Sequence, residues 1–145
     1  MKKAAVFALA AVIALGMAIF GLRLYHGTFR SRIIRLYQQN EEIFFQAASS
    51  EDFDALMQLN GVKEIKEDKR RKAVDVFCGG TGIVPSSGYY GVLYLPEKDA
   101  RAYFSEPAEE WTVDGNGFCY RQKNGDNRFY VEPLGNDFYY YEQHY

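Results

Sequence analysis

The sequence predicts an α+β fold, an N-terminal transmembrane helix continuing into an amphipathic helix that packs on an antiparallel β-meander. Three observations carry that expectation. Residues 4–22 form an uninterrupted apolar run. Residues 28–48 repeat apolar side chains at spacings of three and four. From Val62 onward, β-branched and aromatic segments alternate with Gly, Asn, Asp and Pro clusters. A helical period followed by strand-and-turn chemistry places the helices before the sheet, the order of an α+β domain.

The run AAVFALAAVIALGMAIFGL contains no charge; at about 1.5 Å per residue it nearly crosses a hydrocarbon core roughly 30 Å thick. Met1-Lys2-Lys3 ahead of it suits a retained anchor and a cleaved signal peptide alike. Its length exceeds the roughly 7–15 residues of a signal core, which favours retention; cleavage is the alternative and leads to a secreted form. No cysteine precedes Cys78, so a lipid-modified start is not expected. Lys2 and Lys3 on one side nearly balance Arg23, Arg30, Arg32 and Arg35 on the other. The signal-anchor pattern then puts the N-terminus inside and the C-terminal domain outside. The expected organisation is an anchor over 1–25, a helical region over 26–61 and a β region over 62–145, with 26–145 forming one domain.

Charge divides the chain. Residues 1–35 hold six Lys or Arg and no acid, whereas residues 36–145 hold eleven basic and nineteen acidic side chains, a net of minus eight. An acidic domain repels phosphate backbones, so nucleic acid is not an expected partner. The basic stretch beyond the apolar run suits anionic lipid headgroups, or equally a solvated helix face.

Phe29, Ile33, Leu36, Tyr37, Phe44 and Ala47 fall on one helical face, interrupted by Asn40, with a bend expected at Gly27. A second, short helix is expected after Ser49 or Ser50 as N-cap, with Glu51 and Asp52 in its first turn and Gly61 just past its end. The expected strands are 62–66, 73–78, 89–95, 111–113, 118–122, 128–132 and 138–143. Turn chemistry separates them at 67–71, 96–99, 114–117, 123–127 and 133–137. Such short connections make successive strands antiparallel.

Within VDVFCGGTGIVPSSGYY, the stretch Cys78-Gly79-Gly80-Thr81-Gly82 invites a phosphate-loop reading. Ile83-Val84-Pro85 follows it where a Lys and a Ser or Thr opening a helix are needed, which argues against a nucleotide site. The glycines are expected to give positive φ where the strand ends. A catalytic thiol needs a base, and beyond His26 at the membrane edge only His144 exists. Cys78 with His144, Glu142 with His144, and Ser86 or Ser87 with His144 define the enzymatic alternative; neither serine sits in a Gly-x-Ser-x-Gly elbow. The extra-membrane domain offers three Cys or His side chains, Cys78, Cys119 and His144, short of a structural zinc set, and DGNG and KNGDN fall short of a calcium loop. No metal, no cofactor and no catalytic residue are therefore expected. Two cysteines in predicted strands of an outside domain read as a disulfide between Cys78 and Cys119.

Ten of the twelve tyrosines follow residue 88. Strand alternation sends Tyr139, Tyr141 and Tyr145 to one face and Tyr140, Glu142 and His144 to the other. The candidate binding surface is Tyr89, Tyr90, Tyr94, Tyr139, Tyr140 and Tyr141 with the 79–91 loop, because tyrosine offers a flat apolar body with a polar tip. A sheet simply filled and edged by tyrosines is the competing account.

The segments VDVFCGGTGIVPSSGYYGVLYLPEKD, DGNGFCYRQKNGDNRFYVEP and FYYYEQHY resemble small single-pass membrane proteins of Gram-positive bacteria over about residues 73–145. The resemblance implies a bacterial envelope setting and no activity. In outline the chain is also similar to pilin-like subunits, although Gly16-Met17 is followed by Gly21 where the prepilin pattern has Glu. The function expected is a non-catalytic, membrane-anchored binding module whose partner is a protein or an envelope polymer. A pilin-like structural subunit, an immunity-type partner of a secreted protein and a small hydrolase or thiol enzyme are the alternatives.

Overall fold

In a computed structural model the chain is described at residues 12, 15–17, 21, 29–83, 86–96 and 99–145. It divides into two compact units, Met1–Arg32 and Ile33–Tyr145. Every described residue of the first unit is helical, and in it the Arg32 guanidinium lies 5.1 Å over the Phe29 ring. Among the described residues no helix is long and apolar enough to cross a membrane. The expected membrane segment 4–22 lies outside them except at 12, 15–17 and 21, and the bend at Gly27 lies outside them altogether.

The second unit opens with helical residues 33–39 (α1) and continues in α2, Glu41–Ser50. Asn40 leaves helical geometry between them at φ −126°, and its side-chain amide donates to the Leu36 carbonyl at 2.8 Å. Ile33, Tyr37, Phe44 and Ala47 are all buried, so the stripe read from the spacing is the packing face. The expected cap does not form. Ser49 and Ser50 close α2 instead, their hydroxyls donating to the carbonyls of Phe45 and Gln46 at 2.8 Å, and Glu51 ends the helix in the left-handed region at φ 52°. A serine hydroxyl satisfies a carbonyl one turn back as readily as it caps, and local sequence does not separate the two. The second helix is only the 3-10 turn Asp54–Gln58, whose first N–H is bonded by Asp52 Oδ1 at 3.1 Å.

Seven strands follow: β1 (Glu64–Asp68), β2 (Ala73–Ile83), β3 (Ser86–Tyr94), β4 (Thr112–Asp114), β5 (Gly117–Arg121), β6 (Arg128–Gly135) and β7 (Phe138–His144). Each matches an expected strand, and every pairing is antiparallel. The turn expected over 133–137 shortens to Asn136 and Asp137, both at positive φ, 50° and 62°, because β6 pairs on through Pro133 to Gly135. The order is not a simple meander. It runs β1-β2-β3-β7-β6-β5-β4, two antiparallel runs joined where β3 meets β7. The segment between β3 and β4 carries the chain from the centre of the sheet to its far edge, so the last strand returns beside the third.

That order corrects the disulfide. Cys78 and Cys119 are both buried free thiols. They sit on β2 and β5, with β3, β7 and β6 between them; four strand spacings amount to roughly 19 Å along the sheet, whereas bridged Cα atoms lie about 4.4–6.8 Å apart. The Cys78 thiol lies 3.5 Å from the Val76 carbonyl, and that of Cys119 3.7 Å from the Tyr120 carbonyl. Alkylation in denaturant without reductant is expected to modify both thiols, and native alkylation to be slow at each. Finding no thiol after unfolding would restore the bridge.

The glycine-rich stretch is corrected in the same way. β2 does not stop at Cys78; it bulges between Phe77 and Gly79 and pairs on through Gly79–Ile83 with Ser86–Tyr90. The expected loop is thus the arm of a β-hairpin. Gly79 and Gly82, at φ 155° and 106°, take the positive φ expected of these glycines, conformations that a side chain disfavours.

The sheet is covered on both sides. On one face Tyr37, Phe44, Phe138 and Tyr94 form a chain of rings with centroids 4.9–5.5 Å apart, above buried Val74, Val76 and Val92. On the other face the β3–β4 segment lays Ala100, Phe104 and Trp111 over Leu93, Tyr120, Phe129 and Val131. Phe104, Phe129 and Tyr120 stack at 5.4 and 5.7 Å.

Candidate functional site

The β3–β4 segment covers only part of its face. The remainder, across β1, β2, β3 and β7, is an open cleft of about 440 Å³. Alternation and register decide which side chains reach it. Asp75 and Phe77 on β2 project to this face while Val74 and Val76 serve the helix side, and Tyr89, Gly91, Tyr141 and Gln143 stand in register beside them. Gly91, opposite both Phe77 and Tyr141, is decisive. A Cβ there would meet Tyr141 Cε1 and Oη at 2.8 Å, so its absence lets the Tyr141 ring lean across β3. The Tyr141 hydroxyl thereby donates to Asp75 Oδ1 at 2.6 Å, two strands away.

Above this floor stand Phe77, Tyr89 and Tyr145. Phe77 and Tyr89 have centroids 6.2 Å apart, and Tyr89 meets Tyr145 edge to face at 6.1 Å. Tyr89 and Tyr145 remain 41% and 43% exposed, unusual among the tyrosines of this sheet. Two backbone hydrogen bonds between Ser87 and Tyr145, at 2.9 and 3.1 Å, fix the Tyr145 backbone, and its hydroxyl donates to Gln143 Oε1 at 3.2 Å. Lys66 on the edge strand pairs with Glu64 at 3.1 Å, both side chains being exposed.

Burial raises the Asp75 carboxyl above its ordinary value, against the lowering effect of the Tyr141 hydrogen bond and the Lys66 charge. Burial likewise pushes Tyr141 far up, with the Asp75 charge adding to it, and drives the Cys78 thiol up to about 12, again with Asp75 adding. Asp75 therefore sits beside a phenol and a thiol that stay neutral at physiological pH, with the exposed Lys66–Glu64 pair at the rim of the cleft. A thiol so raised is a poor nucleophile.

Asp75 yields a prediction with a definite sign. A carboxyl whose folded pKa is raised contributes stability that is fully present below its unfolded value and is lost as pH rises through the folded one. Asp75→Asn keeps an acceptor for Tyr141 and removes the penalised charge, so it is expected to equal or exceed wild-type stability at neutral pH. Asp75→Ala strands the Tyr141 hydroxyl and is expected to cost about 1–3 kcal/mol. Unfolding curves at pH 3 and 7 check this: the advantage of Asn over Asp must shrink in acid.

The residues expected from sequence distribute as follows. Of the six candidate tyrosines, Tyr90, Tyr140 and Tyr141 are buried, Tyr94 and Tyr139 are half-buried, and Tyr89 is exposed. They also divide between faces, with Tyr89, Tyr139 and Tyr141 on the cleft side and Tyr90, Tyr94 and Tyr140 on the helix side. His144 does meet Glu142, Nε2 to Oε2 at 3.3 Å, and the Tyr140 hydroxyl donates to the other Glu142 oxygen at 2.8 Å. Burial acts to raise Glu142, but these bonds and the Arg128 charge outweigh it and hold the carboxyl below its ordinary value. Ser87 lies beside Gly88, whose missing Cβ faces His144 Nδ1 at 3.1 Å, so Ser87 projects to the opposite face from His144. The Ser86 side chain lies outside the described ones. Asp75 and Tyr141 are electrostatic neighbours of the Cys78 thiol.

Asp75 and Phe77 were not legible as site residues, and Gly91 entered only as the end of the 79–91 loop, without the role it has here. The available signal was Asp75 itself, a lone carboxylate between valines in a strand otherwise fit for burial. Among the described residues no group of three His, Cys, Asp or Glu side chains is placed to hold a metal ion. A second and larger depression, about 770 Å³, lies beside the β1–β2 turn and is lined by Glu67, Asp68, Lys69, Arg70 and Lys72, whose mixed signs offset one another. Comparison with protein-family models, with curated proteins and with solved structures found no match.

Proposed function

We propose that this protein is a non-catalytic binding module that holds its ligand in the aromatic cleft, carried on the outer side of a bacterial cytoplasmic membrane. One observation carries the reading: a buried-side carboxylate, held by Tyr141, lies at the floor of an open cleft whose rim is two partly exposed tyrosines. Retaining a carboxylate where burial disfavours its charge costs stability, which selection for folding alone does not explain. The cleft combines aromatic walls from Phe77, Tyr89 and Tyr145 with polar groups from Asp75, Gln143 and the Lys66–Glu64 pair, convergent polar groups of the kind that orient a ligand. The apolar run 4–22 supports the anchored setting. Compartment now rests on that run and its flanking charge, because the free thiols remove the disulfide from the argument.

The test is an NMR titration of the detergent-solubilised full chain with a panel of envelope glycan fragments and short peptides. Binding is expected to perturb the amides of Tyr89, Gln143 and Tyr145, and Tyr89→Ala/Tyr145→Ala is expected to abolish it with the fold unchanged. Perturbations confined to other surfaces, or a variant that binds as well as wild type, would overturn the reading. Tyr140, one of the six candidate tyrosines, is a poor choice for such a variant because it is fully buried.

A further inference from the structure

Resting on that reading of the cleft, we infer that its ligand is a basic peptide segment, which inserts one Lys or Arg side chain between the rim tyrosines to reach Asp75. Three independent features converge on a cation. The first is the floor. The Tyr141 hydroxyl takes one Asp75 oxygen, and among the described residues no hydrogen-bond donor meets the other. Lys66, the nearest cation of the cleft, is engaged with Glu64 at the rim.

The second feature is the wall. Phe77, Tyr89 and Tyr145 present aromatic surface along the approach to Asp75. The faces of such rings attract ammonium and guanidinium groups, and their bodies pack the alkyl stem that precedes the charge. A carboxylate alone would attract any cation; the rings select one carried on an apolar stem. Gln143 adds a carbonyl oxygen on the same side.

The third feature is the field of the domain. Residues 36–145 carry a net charge of minus eight, and the Glu106 charge acts on Tyr145 at the rim. An anionic ligand is repelled before it reaches the cleft, and a basic peptide is steered to it.

The experiment uses the full chain with three probes: acetyl-Gly-Lys-Gly-amide, acetyl-Gly-Arg-Gly-amide and the uncharged acetyl-Gly-norleucine-Gly-amide. Amide shifts at Tyr89, Gln143 and Tyr145 report occupancy. At least one cationic probe is expected to bind tenfold or more tightly than the norleucine probe, with loss of most of that advantage in Asp75→Asn and in 0.5 M salt. Equal affinity for the cationic and norleucine probes, or a cationic preference unchanged by Asp75→Asn, would overturn the inference while leaving a binding cleft in place. Silence of the cleft towards all three probes would also overturn it. If the glycan panel leaves the cleft silent too, the binding-module reading falls with it.

Discussion

Replacing Phe138 by alanine is expected to lower the unfolding free energy by about 3–5 kcal/mol, the cost typical of a buried aromatic truncated in a rigid core. Phe138 is 1% exposed and opens β7 at the point where both helices meet the sheet. Its ring touches those of Tyr37, Phe44 and Tyr94, at 5.5, 5.3 and 4.9 Å. The void cannot collapse easily, because each neighbour is held elsewhere. Tyr37 donates to the Gly135 carbonyl at 3.0 Å, Phe44 is on a helix, and Tyr94 packs on Phe53 at 5.5 Å. With total stabilities of small domains near 5–15 kcal/mol, such a loss takes much of the margin. Val113→Ala, on the exposed edge strand β4 and 76% exposed, is the control and is expected to stay within about 0.5 kcal/mol of wild type. Urea unfolding followed by the buried Trp111 measures both. A Phe138→Ala cost below about 1 kcal/mol would mean that the helices do not pack as described.

Local chemistry made the elements readable, and the order of the strands was beyond its reach. The Phe138–His144 strand shows why the first part holds: alternation alone assigns Tyr139 and Tyr141 to one face and Tyr140, Glu142 and His144 to the other, and the register agrees. Spacing alone placed Ile33, Tyr37, Phe44 and Ala47 on the buried helical stripe. What no local pattern encodes is which strand lies beside which. The β3–β4 segment, read as a turn at 96–99 and a strand start at 111, instead spans the sheet and fills its face with Phe104 and Trp111. That one connection separates Cys78 from Cys119 and shares a buried cluster with Tyr141 and, in part, Tyr139, whereas Tyr90 and Tyr140 are buried on the helix side. It also leaves the remaining corner open as a cleft. Tyr89 and Tyr141 were candidates from the sequence, but their meeting with Asp75 and Tyr145 was hidden for the same reason: these residues come together only when β7 is inserted beside β3.

Gly91→Ala is expected to damage fold and cleft together, at about 1–3 kcal/mol for overpacking a close-packed site. The added methyl would lie 2.4 Å from the Val76 carbonyl oxygen and 2.8 Å from the Tyr141 ring, both too close for any real contact. The Val76 carbonyl belongs to the pairing between β2 and β3, so that clash is relieved only by parting strands in the sheet centre. The Tyr141 clash is relieved by tilting the ring, which withdraws the hydroxyl from Asp75. The two remedies have different signatures. Strand parting lowers stability whatever residue stands at 141, whereas ring tilting depends on Tyr141 itself. In the double variant Gly91→Ala/Tyr141→Val the ring is gone, and a total loss smaller than the sum of the single losses is expected, because neighbouring sites in one clash are not additive. Probe binding must follow the ring and not the stability. Gly91→Ala should lose cleft occupancy even under conditions where it is fully folded, because the floor carboxylate has lost the group that orients it. Full additivity, or undiminished occupancy in the folded single variant, would show that Gly91 serves the strand pairing alone and that Tyr141 does not need the open space above it.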